Sequence, residues 1–167
     1  MKILITGPES TGKSTLALLL ADALDITYIP EIARSYLESR NGEYSPEDIE
    51  TIARLNVESV KELGDSDFIH DTYLLNLKIW FEVKYGYCPQ WIEEEWIKMP
   101  FDLVLLSYPD VEWSEDPLRE SPNDRMGLFQ RFKSELEAHN LPYIVINGTG
   151  STRLENAIDI INKKLIS

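Results

Sequence analysis

Five short apolar stretches, rich in β-branched residues, recur along the chain and separate longer segments of mixed character. Short apolar stretches bounded by glycine, proline or polar residues are typical of buried strands. We predict strands at residues 2–6, 27–29, 67–71, 103–106 and 143–146. Because these stretches are apolar on both faces, the sheet that they form should be covered by helices on both sides.

The segments between the strands show helical spacing of their apolar positions. One of them also has a clear start signal, because Ser45 can cap a helix whose first position is Pro46. The predicted helices span residues 13–24, 31–39, 46–63, 72–85, 89–98, 125–139 and 152–165. Strands that alternate with helices pair in parallel through right-handed crossovers. The sequence therefore predicts one α/β domain over residues 1–167, with ligands bound beyond the carboxyl ends of its strands.

Composition narrows the class of protein. The 167 residues are 43% hydrophobic and 27% charged, which is typical of a soluble globular domain. No apolar run approaches the roughly 20 residues of a membrane span, and no signal peptide is evident. With the single cysteine, Cys88, this favours a cytoplasmic protein without a membrane partner. The net charge of -13 repels phosphate backbones, so we expect no nucleic-acid partner.

The sequence that follows the first predicted strand matches the pattern G-x-x-x-x-G-K-[ST]. Its glycines let backbone N–H groups turn inward towards an anion, at the start of a helix whose dipole attracts the same charge. Lys13 is expected to reach the outer phosphates, and the Ser14 hydroxyl to ligate Mg²⁺. The predicted nucleotide-binding residues here are Gly7, Glu9, Ser10, Thr11, Gly12, Lys13, Ser14 and Thr15. The strand before the motif and the helix after it make a chance match improbable.

Two acidic residues follow the ends of predicted strands and are candidates for chemistry. Asp71 ends the third strand and is the natural second ligand for Mg²⁺; its alternative role is to cap the next helix. Glu31 follows the second strand, where it could hold or deprotonate an acceptor hydroxyl, and Arg34 lies three residues on. The alternative for this pair is a surface ion pair. His70 is expected to be a packed residue.

Residues 108–125 form a proline-rich, charged segment with no helix or strand pattern. A kinase must exclude water from its phosphates, so we interpret the segment as a flap, or lid, with a solvated loop as the alternative. Arg119 and Arg125 could stabilise the transferring phosphoryl group, and Trp113 could stack on a flat ring. The adenine is expected near Arg125 and the loop at residues 147–150, with Arg153 as a lesser candidate.

With these features, the chain resembles the ribosylnicotinamide kinase domain of the bacterial NAD-biosynthesis regulator NadR and its AAA-type ATPase and kinase relatives. The phosphate loop is common to many nucleotide hydrolases, whereas D-V-x-W with a following L-R-E is much more specific. The matching stretches are residues 6–15, 30–34, 71–72, 85–89, 101–106, 110–113, 116–119 and 142–143.

The resemblance implies transfer of phosphate from ATP, with Mg²⁺, to the 5′-hydroxyl of nicotinamide riboside, giving nicotinamide mononucleotide. It also implies a fold like that of the nucleoside-monophosphate kinases, with five parallel strands in the order 2-3-1-4-5, helices on both faces and a lid. By analogy, Trp113 would stack on the nicotinamide ring.

The chain departs from the family in two respects. It shows neither the DNA-binding helix-turn-helix nor the H-x-G-H motif of the regulator, so the resemblance implies neither gene regulation nor adenylylation. The family's D-T-D is Asp71-Thr72-Tyr73 here, which leaves another nucleoside or nucleotide open as the acceptor. A nucleotide switch or accessory ATPase that acts through a protein partner is the alternative from another class. The oligomeric state is left open.

Overall fold

The computed structural model describes residues 1–98, 100–118 and 123–166. Five strands form one sheet in the order β2-β3-β1-β4-β5, and every neighbouring pair is parallel. The strands are β1 (Lys2–Thr6), β2 (Thr27–Ile29), β3 (Phe68–Asp71), β4 (Leu103–Ser107) and β5 (Ile144–Ile146). The order 2-3-1-4-5 and the parallel pairing are thereby confirmed.

Seven helices connect or follow these strands in the described part of the chain. They are α1 (Lys13–Leu24), α2 (Ile32–Glu38), α3 (Pro46–Leu63), α4 (Leu74–Tyr85), α5 (Gln90–Trp96), α6 (Arg125–Ala138) and α7 (Gly150–Ile166). At α3 the sequence signal is confirmed, since Ser45 and Asp48 form a reciprocal capping box with Pro46 in the first turn. None of the helices described is long and apolar enough to cross a membrane.

One helix start differs from the prediction in a way that matters for the site. Helix α4 begins at Leu74 and not at Thr72. Thr72 has a φ of 65°, in the left-handed region, and Tyr73 is the extended N-cap residue. A β-branched residue in the left-handed region is strained, so the chain between Asp71 and Leu74 cannot be helical. Asp71 is therefore the last residue of β3 and does not cap α4.

The sheet separates two apolar layers, as the strand pattern predicted. Alternate residues of the central strands face opposite sides, so that Leu4 packs with helices α2 to α6 and Ile5 with α1 and α7. His70 is fully buried on the α2–α6 side, edge to face with Tyr73 and Phe101. Burial lowers the pKa of His70 to about 4. It is therefore a neutral, packed residue, as expected.

Strand register brings the carboxyl ends of the strands to one edge. Ile5 is opposite Asp71 across one neighbour and Leu105 across the other, while Ser107 pairs with Ile146. The loops that follow β1, β2, β3, β4 and β5 thus start close together. This edge is where the predicted phosphate loop and both candidate carboxylates are located.

Candidate active site

The phosphate loop between β1 and α1 depends on two glycine backbones. Gly7 has a φ of 130° and Gly12, the residue before α1, has a φ of 74°. A Cβ on Gly7 would lie 2.9 Å from the Ser107 carbonyl oxygen, which is too close for any side chain. The loop therefore curls tightly against the end of β4, and only glycine permits this approach.

Side chains of the loop reinforce that curl from within. The Lys13 ammonium donates to the Pro8 carbonyl oxygen at 2.6 Å, and the Thr11 hydroxyl donates to the same oxygen at 2.9 Å. Lys13 is only 9% exposed, so its charge lies over the loop and not in bulk water. Ser14, by contrast, is an exposed residue of the first turn of α1. The motif thus places a buried cation and an exposed hydroxyl at the start of α1, and both act on the Asp71 carboxylate.

Asp71 is a candidate carboxylate next to this loop, because it ends β3, the strand that pairs with β1. It is fully buried, and neither carboxylate oxygen accepts a well-formed hydrogen bond from the described residues. Burial raises the pKa of Asp71 to about 6, although the nearby Lys13 ammonium and Ser14 hydroxyl act in the opposite direction. Two buried carboxylate oxygens that lack a well-formed hydrogen bond, with only the Ser14 and Tyr28 hydroxyls nearby, are what a bound cation would complete. Asp71 and Ser14 therefore fit Mg²⁺, a cation that prefers oxygen ligands.

The sequence did not single out Tyr28, which lies beside these carboxylates. Burial raises the pKa of Tyr28 to about 12, and the charges of Asp71 and Glu31 act in the same direction. Tyr28 pairs in register with Ile69, two residues before Asp71, so both side chains are on the α1 side of the sheet. The period of two along β2 was a signal for this position, but the strand order was needed to use it.

Asn76 is a second functional residue that the sequence did not indicate. Its side-chain oxygen accepts from the Thr6 hydroxyl at 2.6 Å, and its Nδ2 donates to the Gly7 carbonyl at 3.2 Å. The first turn of α4 is thereby tied to the start of the phosphate loop. Only the packing of α4 over β1 brings these residues together, so no local pattern announces the contact.

Glu31 and Arg34 are brought together at the start of α2, with a third charged residue from the flap. Arg34 Nε is 4.0 Å from the Glu31 carboxylate, and its NH1 is 3.0 Å from that of Asp116. Glu31 immediately precedes α2 and is partly exposed at the cleft. Arg34 therefore connects the end of β2 to the segment that was predicted as a flap, in addition to pairing with Glu31.

The described part of the flap contacts the phosphate loop directly. The Ser114 N–H donates to the Ser10 hydroxyl at 3.0 Å. Arg125 donates to the Ser10 carbonyl at 2.9 Å and to the Val111 carbonyl at 2.7 Å. Its guanidinium carbon is 5.8 Å from the centre of the Trp113 ring. Arg125 and Trp113 thus sit together over the loop, whereas Arg119 lies outside the described residues.

Arg153 lies on the far side of the loop from the cleft and is 4% exposed. Its Nε donates to the Gly148 carbonyl at 2.7 Å, and its NH2 to the Tyr108 carbonyl at 2.9 Å. Further bonds join the same guanidinium to the Thr11 carbonyl and the Asp110 carboxylate. Four of its five donor hydrogens thus meet protein oxygens. Arg153 holds three loops of the site edge together, and its nucleotide contact remains a prediction.

A cleft of about 270 Å³ opens from the phosphate loop along α4. It unites the predicted loop residues with Glu31 and Arg34 and continues between α2, α4 and α6. Beyond the loop at residues 7–15, its lining comprises Glu31, Ala33, Arg34, Leu37, Thr72, Asn76, Leu77, Ile79, Trp80, Val83, Leu118, Leu128 and Phe132. Among the described residues of this lining, the aromatic ones are Trp80 and Phe132, and Trp113 does not occur.

Comparison with known proteins agrees with this architecture. Residues 2–153 match the model of a family described as AAA domain. This chain belongs to that family. The prediction of an AAA-type P-loop protein is therefore confirmed. No curated protein sequence matches the chain.

Solved structures share the fold over nearly the whole chain. A NadR protein in complex with NR has a TM-score of 0.77 at 19% identity, over 98% of this chain and 51% of that chain. A deoxyadenosine kinase from M. mycoides has a TM-score of 0.71 at 18% identity, over 98% of this chain and all of that chain. A thymidylate kinase from Ehrlichia chaffeensis reaches 0.64 at 17% identity, covering 96% and 98%.

The chain spans about half the length of the NadR structures that it matches. The NadR match is to a protein in complex with NR and, in a second structure, with NAD and AMP-PNP. All of these identities are below 20%, so what the chain shares with these proteins is the fold.

Proposed function

We propose that this chain is a kinase that transfers a phosphoryl group from ATP to a hydroxyl of a nucleoside. The observation that supports it best is one continuous cleft, which joins a phosphate loop to a pocket between α2, α4 and α6. A nucleotide switch needs only the loop. An apolar pocket opening directly from that loop is what a second, small substrate requires. The structural likeness to nucleoside and nucleotide kinases supports the same class.

In this proposal the donor nucleotide lies on the phosphate loop. Loop N–H groups and the Lys13 ammonium bind the outer phosphates of ATP, and Ser14 and Asp71 hold Mg²⁺. The metal, when bound, neutralises charge on the transferring group. Arg125, anchored on the Ser10 carbonyl, is placed to stabilise the same charge, and Arg119 is proposed to assist it. The adenine is proposed to rest between Arg125 and the loop at residues 147–150.

The acceptor hydroxyl would lie between the phosphate loop and Glu31. Glu31 is partly exposed at the polar end of the cleft, where it can hold the hydroxyl or take its proton. Arg34, bound to both Glu31 and Asp116, orients that carboxylate and connects it to the flap. Water is excluded when the flap, anchored at Ser114 on Ser10, covers the reacting groups.

Nicotinamide riboside is the acceptor that we propose first, because the NadR structure with NR shares the fold over 98% of this chain. The reaction would then yield nicotinamide mononucleotide. Another nucleoside is the second candidate, because the deoxyadenosine kinase matches over all of its own length whereas NadR matches over half. Tyr73, which replaces the second acid of the family's D-T-D, favours the same candidate.

The test is to incubate the purified protein with Mg-ATP and a panel of nucleosides that includes nicotinamide riboside, and to follow new monophosphates by chromatography. We expect one or more acceptors to be phosphorylated, with nicotinamide riboside giving the highest kcat/KM. Equal consumption of ATP with and without every acceptor would contradict the kinase proposal and favour the switch.

A further inference from the structure

Helix α4 forms one wall of the cleft, and its lining residues change character along the helix. Asn76 is at the sheet end, bonded to the Gly7 carbonyl. With a rise of about 1.5 Å per residue, Trp80 lies about 6 Å and Val83 about 10 Å further along the axis. All three residues line the cleft. An acceptor whose hydroxyl is at the phosphate loop would therefore extend its ring towards Trp80.

Polar and apolar side chains occupy separate parts of this lining. Apart from Trp80, the polar ones belong to the phosphate loop or to the first turn after β2 or β3. Beyond them the described lining includes Leu37, Trp80, Val83, Leu118, Leu128 and Phe132. Among the residues that the structure describes, the outer part of the cleft therefore offers mainly apolar contact surface.

The one polar atom of Trp80 is already engaged within the protein. Its indole N–H donates to the Tyr44 hydroxyl at 3.1 Å, and the Lys84 ammonium donates to the same oxygen. The two rings meet in a T-shaped contact with their centres 4.8 Å apart. Indole has a single donor, so Trp80 presents a fixed aromatic surface to the cleft and no hydrogen-bonding group.

We propose that the ring of the acceptor lies against Trp80 and is held by stacking and apolar contact, without a hydrogen bond to its polar edge. This inference rests on the kinase function proposed above. The substrate class is then ribosides of flat aromatic rings, chosen by the size and shape of the ring. Trp113, whose ring lies near Arg125 over the phosphate loop, is assigned to the side of the flap that faces the donor nucleotide.

Two kinds of selectivity differ enough in size to be told apart. A site that hydrogen-bonds an edge rejects the wrong edge by about 10⁴- to 10⁵-fold, whereas an apolar pocket discriminates by about 10- to 200-fold on size. Adenosine and inosine have nearly the same shape but opposite donors and acceptors on one edge, and so do cytidine and uridine. We expect kcat/KM within each pair to differ by less than about tenfold. A larger ratio in either pair would overturn the proposal.

Substitution at position 80 tests the residue itself. We expect Trp80→Leu to raise the KM of the acceptor about tenfold or more while the KM of ATP stays within about threefold, because base stacking on an aromatic ring is lost. Trp80→Phe keeps an aromatic face and should restore most of the acceptor affinity. Both variants keep a large apolar side chain, so both should fold; circular dichroism checks this. Acceptor KM equal in Phe and Leu variants would overturn the proposal.

Trp113→Ala removes the aromatic ring on the other side of the site. We expect it to change the KM of the acceptor less than Trp80→Leu does. A rise in acceptor KM confined to Trp113→Ala would mean that the acceptor ring stacks on Trp113, and it would overturn the role of Trp80.

Failure of the kinase function gives a different result. If no riboside is phosphorylated by the wild-type protein with Mg-ATP, the proposed function fails, whereas the ring site can still be tested by calorimetry with adenosine and inosine. Similar binding of both ribosides, lost in Trp80→Leu and kept in Trp80→Phe, would support the ring site. Unequal binding within the pair, or binding unaffected by Trp80→Leu, would overturn it.

Discussion

The two ends of the cleft are built by different means. At the phosphate end the backbone makes the surface, and side chains hold it in place: Lys13 and Thr11 bond the Pro8 carbonyl, and Arg153 supports the loop from behind. At the far end side chains make the surface, with Trp80 and Phe132 among them. We call the phosphate loop at residues 7–15 the cage. We call the apolar end the wall; it comprises Leu37, Trp80, Val83, Leu118, Leu128 and Phe132.

We expect the phosphate end to determine the rate of phosphoryl transfer and the apolar end to determine which acceptor binds. Phosphate oxygens are the same in every nucleotide, so a backbone cage suits them all. An apolar wall responds to each ring that it meets, because contact area and fit depend on shape. Substitutions at the cage should therefore affect turnover of every acceptor equally, whereas substitutions at the wall should change one KM more than another.

Lys13→Ala should give the largest effect and tests the cage side of this comparison. We expect kcat to fall by about 10²- to 10³-fold for every acceptor, because a cation aimed at developing charge is lost. The fold should be retained, as judged by circular dichroism. Lys133, exposed on α6 and paired with Glu137 at 3.7 Å, provides the control. A loss of activity limited to one acceptor would contradict the separate roles of the cage and the wall. A loss no larger than that of Lys133→Ala would contradict the role of Lys13.

Asp71→Asn tests whether burial of the Asp71 carboxylate beside the cage lowers the free energy of unfolding. Between 3.8 and about 6, the ordinary and the folded pKa of Asp71, the folded protein binds more protons than the unfolded protein. The free energy of unfolding therefore falls as the pH rises through this window, and the loss persists above it. At about 1.36 kcal/mol per unit, the loss at pH 7 in metal-free buffer is up to roughly 3 kcal/mol.

We accordingly expect Asp71→Asn to be more stable than the wild type at pH 7, with the difference vanishing towards pH 4. Urea denaturation in buffer with a chelator measures this. Added Mg²⁺ with nucleotide should stabilise the wild type more than the variant, because the variant keeps the phosphate loop and Lys13 but loses one proposed ligand of the metal. Asp22→Asn, at an exposed position of α1, serves as the control and should alter stability little. A less stable Asp71→Asn protein at pH 7 would show that the carboxylate has a partner.

Gly7→Ala sharpens the claim that backbone geometry makes the cage. The new Cβ would meet the Ser107 carbonyl at 2.9 Å, at a backbone φ of 130°. We expect a loss of about 2 kcal/mol or more in the free energy of unfolding. Gly64 also has a positive φ, 52°, but nothing lies within 4 Å of its Cβ position. Gly64→Ala should cost only about 1 kcal/mol. Equal costs would mean that the approach of the loop to β4 is not tight.

Thr72→Gly gives the smallest effect, in the short connection between β3 and α4 at the polar end of the cleft. Thr72 lines the cleft with a φ of 65°, a conformation that disfavours β-branched residues. We expect Thr72→Gly to be about 1 kcal/mol more stable than Thr72→Ala, because both lose the side chain and only glycine relieves the strain. Thermal denaturation compares the two variants. A more stable alanine variant would show that the strain is absorbed elsewhere.

The sequence predicted the cage end far better than the wall end. The phosphate loop is continuous in the chain, so residues 7–15 contain its whole description. The strand order and the parallel sheet followed from the pattern together with the family resemblance, and they are confirmed. Asp71 was found because strand ends share one edge of a parallel sheet.

The wall could not be predicted in the same way, because its members come from α2, α4, α6 and the flap and share no motif. Trp80 lies in a helix that is apolar on most faces and so does not stand out there, whereas Trp113 stands out in a polar segment and drew attention for that reason. The start of α4 was misplaced because Thr72, an ordinary residue, takes a left-handed conformation that only tertiary packing imposes. Arg153 was noticed as a charge, but two of the three carbonyls around it, those of Thr11 and Tyr108, come from distant loops.

The bonds of Arg153 also have a consequence for the order of events during synthesis. The loop that begins at Gly7 is synthesised before the guanidinium that supports Thr11, which follows 142 positions later. Asp110, which shares that support, also follows the loop in the chain. The phosphate motif is therefore made well before the side chain that fixes its shape. Until Arg153 has left the ribosome, the carbonyl of Thr11 lacks this donor.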